Sequence, residues 1–271
     1  MRDSPSFREL LQEAVREMRT SGFKDFARLA YWLRRLRFAA ITDLPTDEAL
    51  DRSIESAMRA ALRRATSAAM VRKTHPGIPL YTVTKLKPEF QVELTRRILA
   101  SAELIKLNRE QMIGRMLSRF SGWATSLPPD ADTNLMEATA HISEPIKQSR
   151  FEVRRVQIDQ GHKLVASINA VIAEQSGAIA AEWRSHGRHD KSYDARPEHL
   201  ERDGKVYAIR GNWATERGLM NKGAGYTDEI ERVGELPYCR CFYVYLHNLR
   251  ELPDSMLTER GRFALQEVRV A

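Results

Sequence analysis

The sequence predicts an α+β protein in which an elongated all-helical N-terminal part is followed by a small α+β C-terminal domain with a short antiparallel sheet. Three observations carry this expectation. Apolar residues recur at helical spacing through most of residues 1–183. That stretch is punctuated by two proline-containing breaks, Thr74-His75-Pro76-Gly77-Ile78-Pro79 and Ser126-Leu127-Pro128-Pro129-Asp130. Beyond Trp183 the texture changes to glycine, histidine, aspartate and aromatic residues in short segments, with turn signals at Asp203-Gly204, Gly211-Asn212 and Gly223-Ala224-Gly225. A chain of 271 residues exceeds the usual single-domain size. The expected segmentation is a helical region over 1–130, long connecting helices over 131–183, a compact α+β domain over 184–250 and an extension over 251–271.

Phe7, Leu10, Leu11, Ala14 and Met18 line one face of a first helix, and Ser6 with Glu9 has the spacing of a capping box. Gly22 interrupts it. A second helix over 23–41 places Phe26, Leu29, Ala30, Leu33 and Leu36 on one face, flanked by Arg34, Arg35 and Arg37. Asp43-Leu44-Pro45-Thr46-Asp47 is a break with N-cap residues. It leads to an alanine-rich helix through Ile54, Met58, Ala61, Leu62 and Ala65 that carries Arg63 and Arg64. After the 74–79 connector, Pro88 suits a first helical turn, and Phe90, Leu94, Ile98, Ala102, Ile105, Met112, Met116 and Phe120 extend one long amphipathic helix. A further helical section is expected from Asn134 to Trp183, bent at Pro145, with Leu164, Ile168, Val171, Ile172 and Ile179 on its later apolar face. Residues 205–209 and 241–246 read as strands, the latter Cys-Phe-Tyr-Val-Tyr-Leu.

The balance of 42% hydrophobic and 29% charged residues is that of a folded protein and excludes a wholly disordered chain. There is no uncharged apolar run long enough to span a bilayer, so no membrane partner is expected. Met1-Arg2-Asp3-Ser4-Pro5 lacks the apolar core of a secretion signal, which makes the cytoplasm the expected compartment. The net charge of +7 suits an anionic partner such as double-stranded DNA. Arg34, Arg35, Arg37, Arg63 and Arg64 are the candidate contacts with phosphates or an acidic partner protein, and the plainer reading of the same residues is a solvated helix edge.

Cys239 and Cys241 are the whole thiol inventory, too close in sequence for an unstrained disulfide, so a disulfide framework is excluded. On a strand their side chains share a face and can meet His199. Two forms of this cluster follow. One binds zinc through His199, Cys239 and Cys241, with Asp194, His186 or His189 as fourth ligand. The other is a metal-free structural cluster in which Asp194 pairs with Arg196 and His199 bonds to backbone. The Cys-x-Cys spacing, unusual for structural zinc, favours the metal-free form, and no cofactor is expected. An enzymatic use of the cluster, metal-dependent and acting on nucleic acid, is the alternative. No histidine has glutamate two residues on, and the cysteines are one residue apart where a zinc deaminase needs two. Neither a phosphate-binding Gly-x-x-x-x-Gly-Lys loop nor a Gly-x-Ser-x-Gly elbow is present. The expectation is therefore a non-enzyme.

Five elements over residues 150–246 occur in a telling order. They are Trp183, then Asp194-Ala195-Arg196-Pro197-Glu198-His199, then Asp203-Gly204, then Gly225-Tyr226-Thr227-Asp228, and finally Cys239-Arg240-Cys241. The segment resembles the phage Mu F-like head morphogenesis (minor capsid) family, whose pattern runs Trp, Asp-x-Arg-x-x-His, Asp-Gly, a Tyr-Pro-Gly-Asp-like loop and Cys-Arg-Cys. Two positions depart from it. The loop reads Gly-Tyr-Thr-Asp, and Tyr238 precedes Cys239 where a polar Asn is usual. The resemblance implies a structural motif of Trp183, Asp194, Arg196, His199, Asp203, Gly204, Cys239 and Cys241. It also implies a minor head protein of a tailed phage or prophage, a non-enzymatic part of the virion. Such a protein sits in the head at the portal vertex after assembly in the bacterial cytoplasm, and its partners are the portal oligomer, neighbouring capsid or scaffold proteins and packaged double-stranded DNA.

Overall fold

A computed structural model of the chain describes residues 5–127, 134–185 and 196–270. Eleven α-helices lie among them: α1 (Phe7–Ser21), α2 (Phe26–Asp43), α3 (Asp47–Ala65), α4 (Ala68–Thr74), α5 (Leu80–Lys85), α6 (Lys87–Ser126), α7 (Leu135–Lys147), α8 (Ser149–Gln175), α9 (Pro197–Glu201), α10 (Trp213–Glu216) and α11 (Glu259–Val270). The strands are β1 (Ala180–Arg184), β2 (Val206–Ala208) and β3 (Phe242–Leu246). A helical N-terminal part and a small α+β C-terminal domain with an antiparallel sheet are thus both present.

The chain packs as two units, each made of two pieces: Met1–Ile54 with Ala100–Val156, and Glu55–Leu99 with Gln157–Ala271. This division follows packing, whereas the segmentation at 130, 183 and 250 follows the texture of the sequence. The helices α3, α6 and α8 each supply residues to both units.

In the first unit, the capping box at the head of α1 is formed. The Ser6 hydroxyl accepts from the Glu9 N–H, and the Glu9 carboxylate accepts from the Ser6 N–H at 2.8 Å. Gly22, at φ 64°, ends the helix where a side chain would strain the backbone. The buried face of α1, Leu11, Ala14, Val15 and Met18, meets Trp32 and Leu36 of α2, Met116 and Phe120 of α6, and Ile142 of α7. Burial of these side chains from four helices gives α1 the stability that its intrinsic propensity alone does not supply.

The second unit holds the sheet, ordered β2-β1-β3, with both pairings antiparallel. Strand alternation sorts its residues into two cores. Ala181, Trp183, Tyr207, Tyr243 and Tyr245 face one way, with Cys239 and Cys241 beside them. Ala180, Ala208 and Leu246 face the other, onto Ala214, Met220, Leu252 and Met256.

One expectation is corrected here. The helix expected to reach Trp183 stops at Gln175, Gly177 turns the chain at φ 67°, and Trp183 lies in the central strand β1. Ala178, Ile179, Ala180, Ala181 and Trp183 are all buried, because a central strand is covered on both faces. It therefore shows no polar alternation, and its apolar run is indistinguishable from a helix face. The strands expected at 205–209 and 241–246 are present as β2 and β3, α6 runs six residues past Phe120 to Ser126, and the 251–271 extension contains α11.

Candidate functional site

The short helix α9 places His199 by a turn whose start is set by Pro197 in the first helical position, with Arg196 as N-cap. The Arg196 guanidinium donates to the Pro237 carbonyl at 3.1 Å, tying this turn to the segment that carries the cysteines. That segment is held a second time, where the Tyr238 N–H donates to Asp159 Oδ1 of α8 at 2.9 Å. Tyr238 has φ 64°, the one non-glycine residue in the left-handed region among the described residues. Cys239 and Cys241, expected on a strand, lie in the irregular segment before β3, and the kink turns both sulfurs toward His199.

The result is a closed cluster. His199 Nδ1 lies 3.7 Å from Cys239 Sγ and 3.5 Å from Cys241 Sγ. The three residues are 1%, 2% and 6% exposed, so bulk water does not compete for these atoms. On the far side of the imidazole, Nε2 lies 3.2 Å from Glu231 Oε2. A carboxylate only accepts, so Nε2 carries a proton directed at Glu231, and Nδ1 faces both sulfurs. The Gly234 N–H donates to Cys239 Sγ at 3.3 Å. The Cys239 thiol is held below its usual range, chiefly by the hydrogen bond from Cys241, with the Gly234 and Cys241 N–H groups and His199 adding to it against the opposing effect of burial. Trp183 closes one wall, its ring edge-on to His199 at 5.2 Å and to Tyr243 at 5.6 Å, with the Arg202 guanidinium 5.2 Å over its face. His199, Cys239 and Cys241 therefore form a group able to hold a metal ion, their ligand atoms all within 4.8 Å of one another.

The other motif residues support this point. Gly204, at φ 75°, donates its N–H to the Trp183 carbonyl at 2.8 Å, and Asp203 Oδ1 accepts from the Ser185 N–H at 2.7 Å, so the Asp-Gly turn docks on the end of β1. The Gly225-Tyr226-Thr227-Asp228 loop runs beside β2. The Thr227 N–H donates to the Ala208 carbonyl, while Arg210 grips Asp228 at 2.8 Å and covers the Tyr226 ring at 4.0 Å. Arg210 holds the Asp228 carboxyl below the usual carboxylate range. Asp194, His186 and His189, named as the fourth ligand or as the partner of Arg196, lie outside the described residues.

Glu231 and Gly234 are site residues that the sequence reading missed, and Asp159 lies in the Arg154-Arg155-Val156-Gln157-Ile158-Asp159 helix, to which that reading assigns no role. Glu231 sits in a polar run, Glu229-Ile230-Glu231-Arg232, where nothing in spacing marks one carboxylate over the other.

The basic residues divide. Arg34 is exposed on α2, whereas Arg35 is bound to the Tyr31 hydroxyl at 2.8 Å and Arg37 to Glu110 at 2.9 Å. Arg63 and Arg64 are exposed in the last turn of α3. No helix among the described residues is long and apolar enough to cross a membrane. The chain matches no family model, no curated protein and no solved structure.

Proposed function

We propose that the protein is a minor head component of a tailed phage or prophage, a structural part of the portal vertex whose C-terminal domain is of the Mu F-like type. The observation that carries this reading is the convergence of the motif. Trp183, His199, Asp203, Gly204, Cys239 and Cys241 span most of the C-terminal domain in sequence, yet they join one connected cluster through the contacts described above.

In this reading the domain carries no reaction and the cluster is structural. The helical part docks on the portal oligomer or on neighbouring capsid or scaffold proteins, and packaged DNA lies against exposed arginines. Co-expression with the portal protein encoded in the same genome is the test. A complex that survives size-exclusion chromatography is the expected result. Failure of the full chain to bind the portal overturns the reading.

A further inference from the structure

We propose that His199 Nδ1, Cys239 Sγ and Cys241 Sγ ligate one structural zinc ion, with Glu231 as the carboxylate that orients the histidine. The inference stands on side-chain geometry and is independent of the portal-vertex reading.

The distances fit a metal centre. Tetrahedral zinc with bonds of about 2.3 Å to sulfur and about 2.0 Å to nitrogen holds the two donors about 3.5 Å apart. The observed sulfur-to-nitrogen separations are 3.5 Å and 3.7 Å. The three donor atoms also converge, both sulfurs facing Nδ1 and all three within 4.8 Å of one another. A cation between them takes a lone pair from each of the three atoms at once.

The outer groups are those a zinc–histidine bond uses. Zinc-bound histidines typically donate their other ring N–H to a carboxylate, which fixes the tautomer and the ring plane. The contact between Nε2 and Glu231 Oε2 has this form. The Gly234 N–H on Cys239 Sγ favours a thiolate, as coordination requires. Charge also balances, since two thiolates and a neutral imidazole around a divalent ion bring no net charge into a core where the three ligands are at most 6% exposed. The soft sulfur pair with one imidazole selects zinc over magnesium or calcium, which take oxygen donors. Three protein donors complete all but one corner of the tetrahedron.

Structural metal also suits the surroundings. The ligands come from α9 and from the kinked segment before β3, two pieces of chain about forty residues apart that the Arg196 contact with Pro237 also joins. A shared ion locks them together, and its binding free energy becomes folding free energy.

The test uses the full chain produced without a histidine tag in zinc-supplemented medium. Elemental analysis is expected to find one zinc per chain, and replacement by cobalt to give the intense sulfur-to-metal charge-transfer band of a thiolate site. Cys241→Ser and His199→Ala should each lose the metal. Should these variants fail to fold, release of zinc from the wild-type protein by a mercurial that titrates Cys239 and Cys241 reads the same bonds. Glu231→Gln, which leaves all three ligands in place, should retain zinc with affinity weakened about tenfold or more. Substoichiometric zinc together with no charge-transfer band on cobalt titration overturns the proposal, as does stoichiometric zinc that neither the variants nor the mercurial displaces.

Discussion

The imidazole of His75 lies flat against the ring of Tyr245, the centroids 4.9 Å apart and the planes 1° from parallel. His75 directly follows α4 in the proline-containing connector, and Tyr245 is in β3, so this stack fastens the connector to the sheet within one unit. His247 adds a third ring, 5.7 Å from His75. Both His75 and Tyr245 are buried, which makes the neutral imidazole a condition of the packing.

Stability should therefore fall in mild acid. Burial, reinforced by His247, pushes the His75 imidazole from 6.5 down to about 3, with Asn169 opposing. His247 is also lowered by burial, although Glu251 works against the shift. Below pH 6.5 the unfolded chain takes up a proton that the folded chain refuses. The contribution is thus fully present above 6.5 and declines as the pH falls toward 3. The slope from His75 is at most about 1.4 kcal/mol per pH unit. Urea unfolding at a series of pH values on wild type and His75→Phe, which keeps the stacked ring, measures this. The wild type should lose more stability than the variant on acidification, and parallel curves would sink the idea.

Two glycines with nearly the same backbone angle should respond very differently to alanine. At Gly223, φ 61°, an added Cβ meets the Val206 carbonyl and the Met256 sulfur, each at 2.7 Å. The carbonyl belongs to β2 and cannot swing away. At Gly177, φ 67°, the same atom meets nothing within 4 Å. Gly177→Ala should cost about 1 kcal/mol, the left-handed backbone penalty alone. Gly223→Ala should cost about 3 kcal/mol, since overpacking is added to that penalty. Equal losses in chemical denaturation would contradict the clash.

Much of the fold is legible in the sequence, because period and caps are local signals. Ser6 with Glu9, Gly22 and Pro88 each mark an element end through their own backbone chemistry. β1 is illegible for the opposite reason. Its identity comes from partners on both sides, Val206 and Val244 opposite Glu182, which lie far away in sequence. The site divides in the same way. His199 and the cysteines stand out as residue types, whereas Glu231 and Asp159 acquire a role only when folding brings them to Nε2 of His199 and to the N–H of Tyr238.

If packaged DNA lies against the basic helix ends, the exposed arginines outside the ion pairs and hydrogen bonds described above should carry the effect. Arg34, Arg37, Arg63 and Arg64 are exposed, but Arg37 is engaged by Glu110, and half-buried Arg35 by Tyr31. Each phosphate contact contributes about 0.9 to the dependence of log affinity on log salt. Replacing Arg34, Arg63 and Arg64 by glutamine should lower the slope by as much as about 3 and leave sequence preference absent. Arg35→Gln and Arg37→Gln should leave the slope unchanged. A salt titration of duplex binding decides between this and a merely solvated surface, for which neither set matters.

The last prediction concerns Tyr238, whose φ of 64° places a bulky side chain in the left-handed region. The conformation is imposed from both sides. The Tyr238 N–H is fixed on Asp159 Oδ1 at 2.9 Å, and the next residue must deliver Cys239 to His199. A non-glycine residue in that region costs about 1–2 kcal/mol, but asparagine is tolerated there because its short amide bonds locally to the backbone. Where relief of backbone strain exceeds the packing of Tyr238, a residue 44% exposed, Tyr238→Asn should stabilise the protein by about 0.5–1 kcal/mol. Tyr238→Val should destabilise by about 1 kcal/mol or more, since β-branching is least compatible with positive φ. Thermal or urea unfolding of the three proteins ranks them. The order Asn above Tyr above Val identifies backbone strain as the cause, whereas a loss of stability in both variants would mean that contacts of the tyrosine ring outweigh the strain.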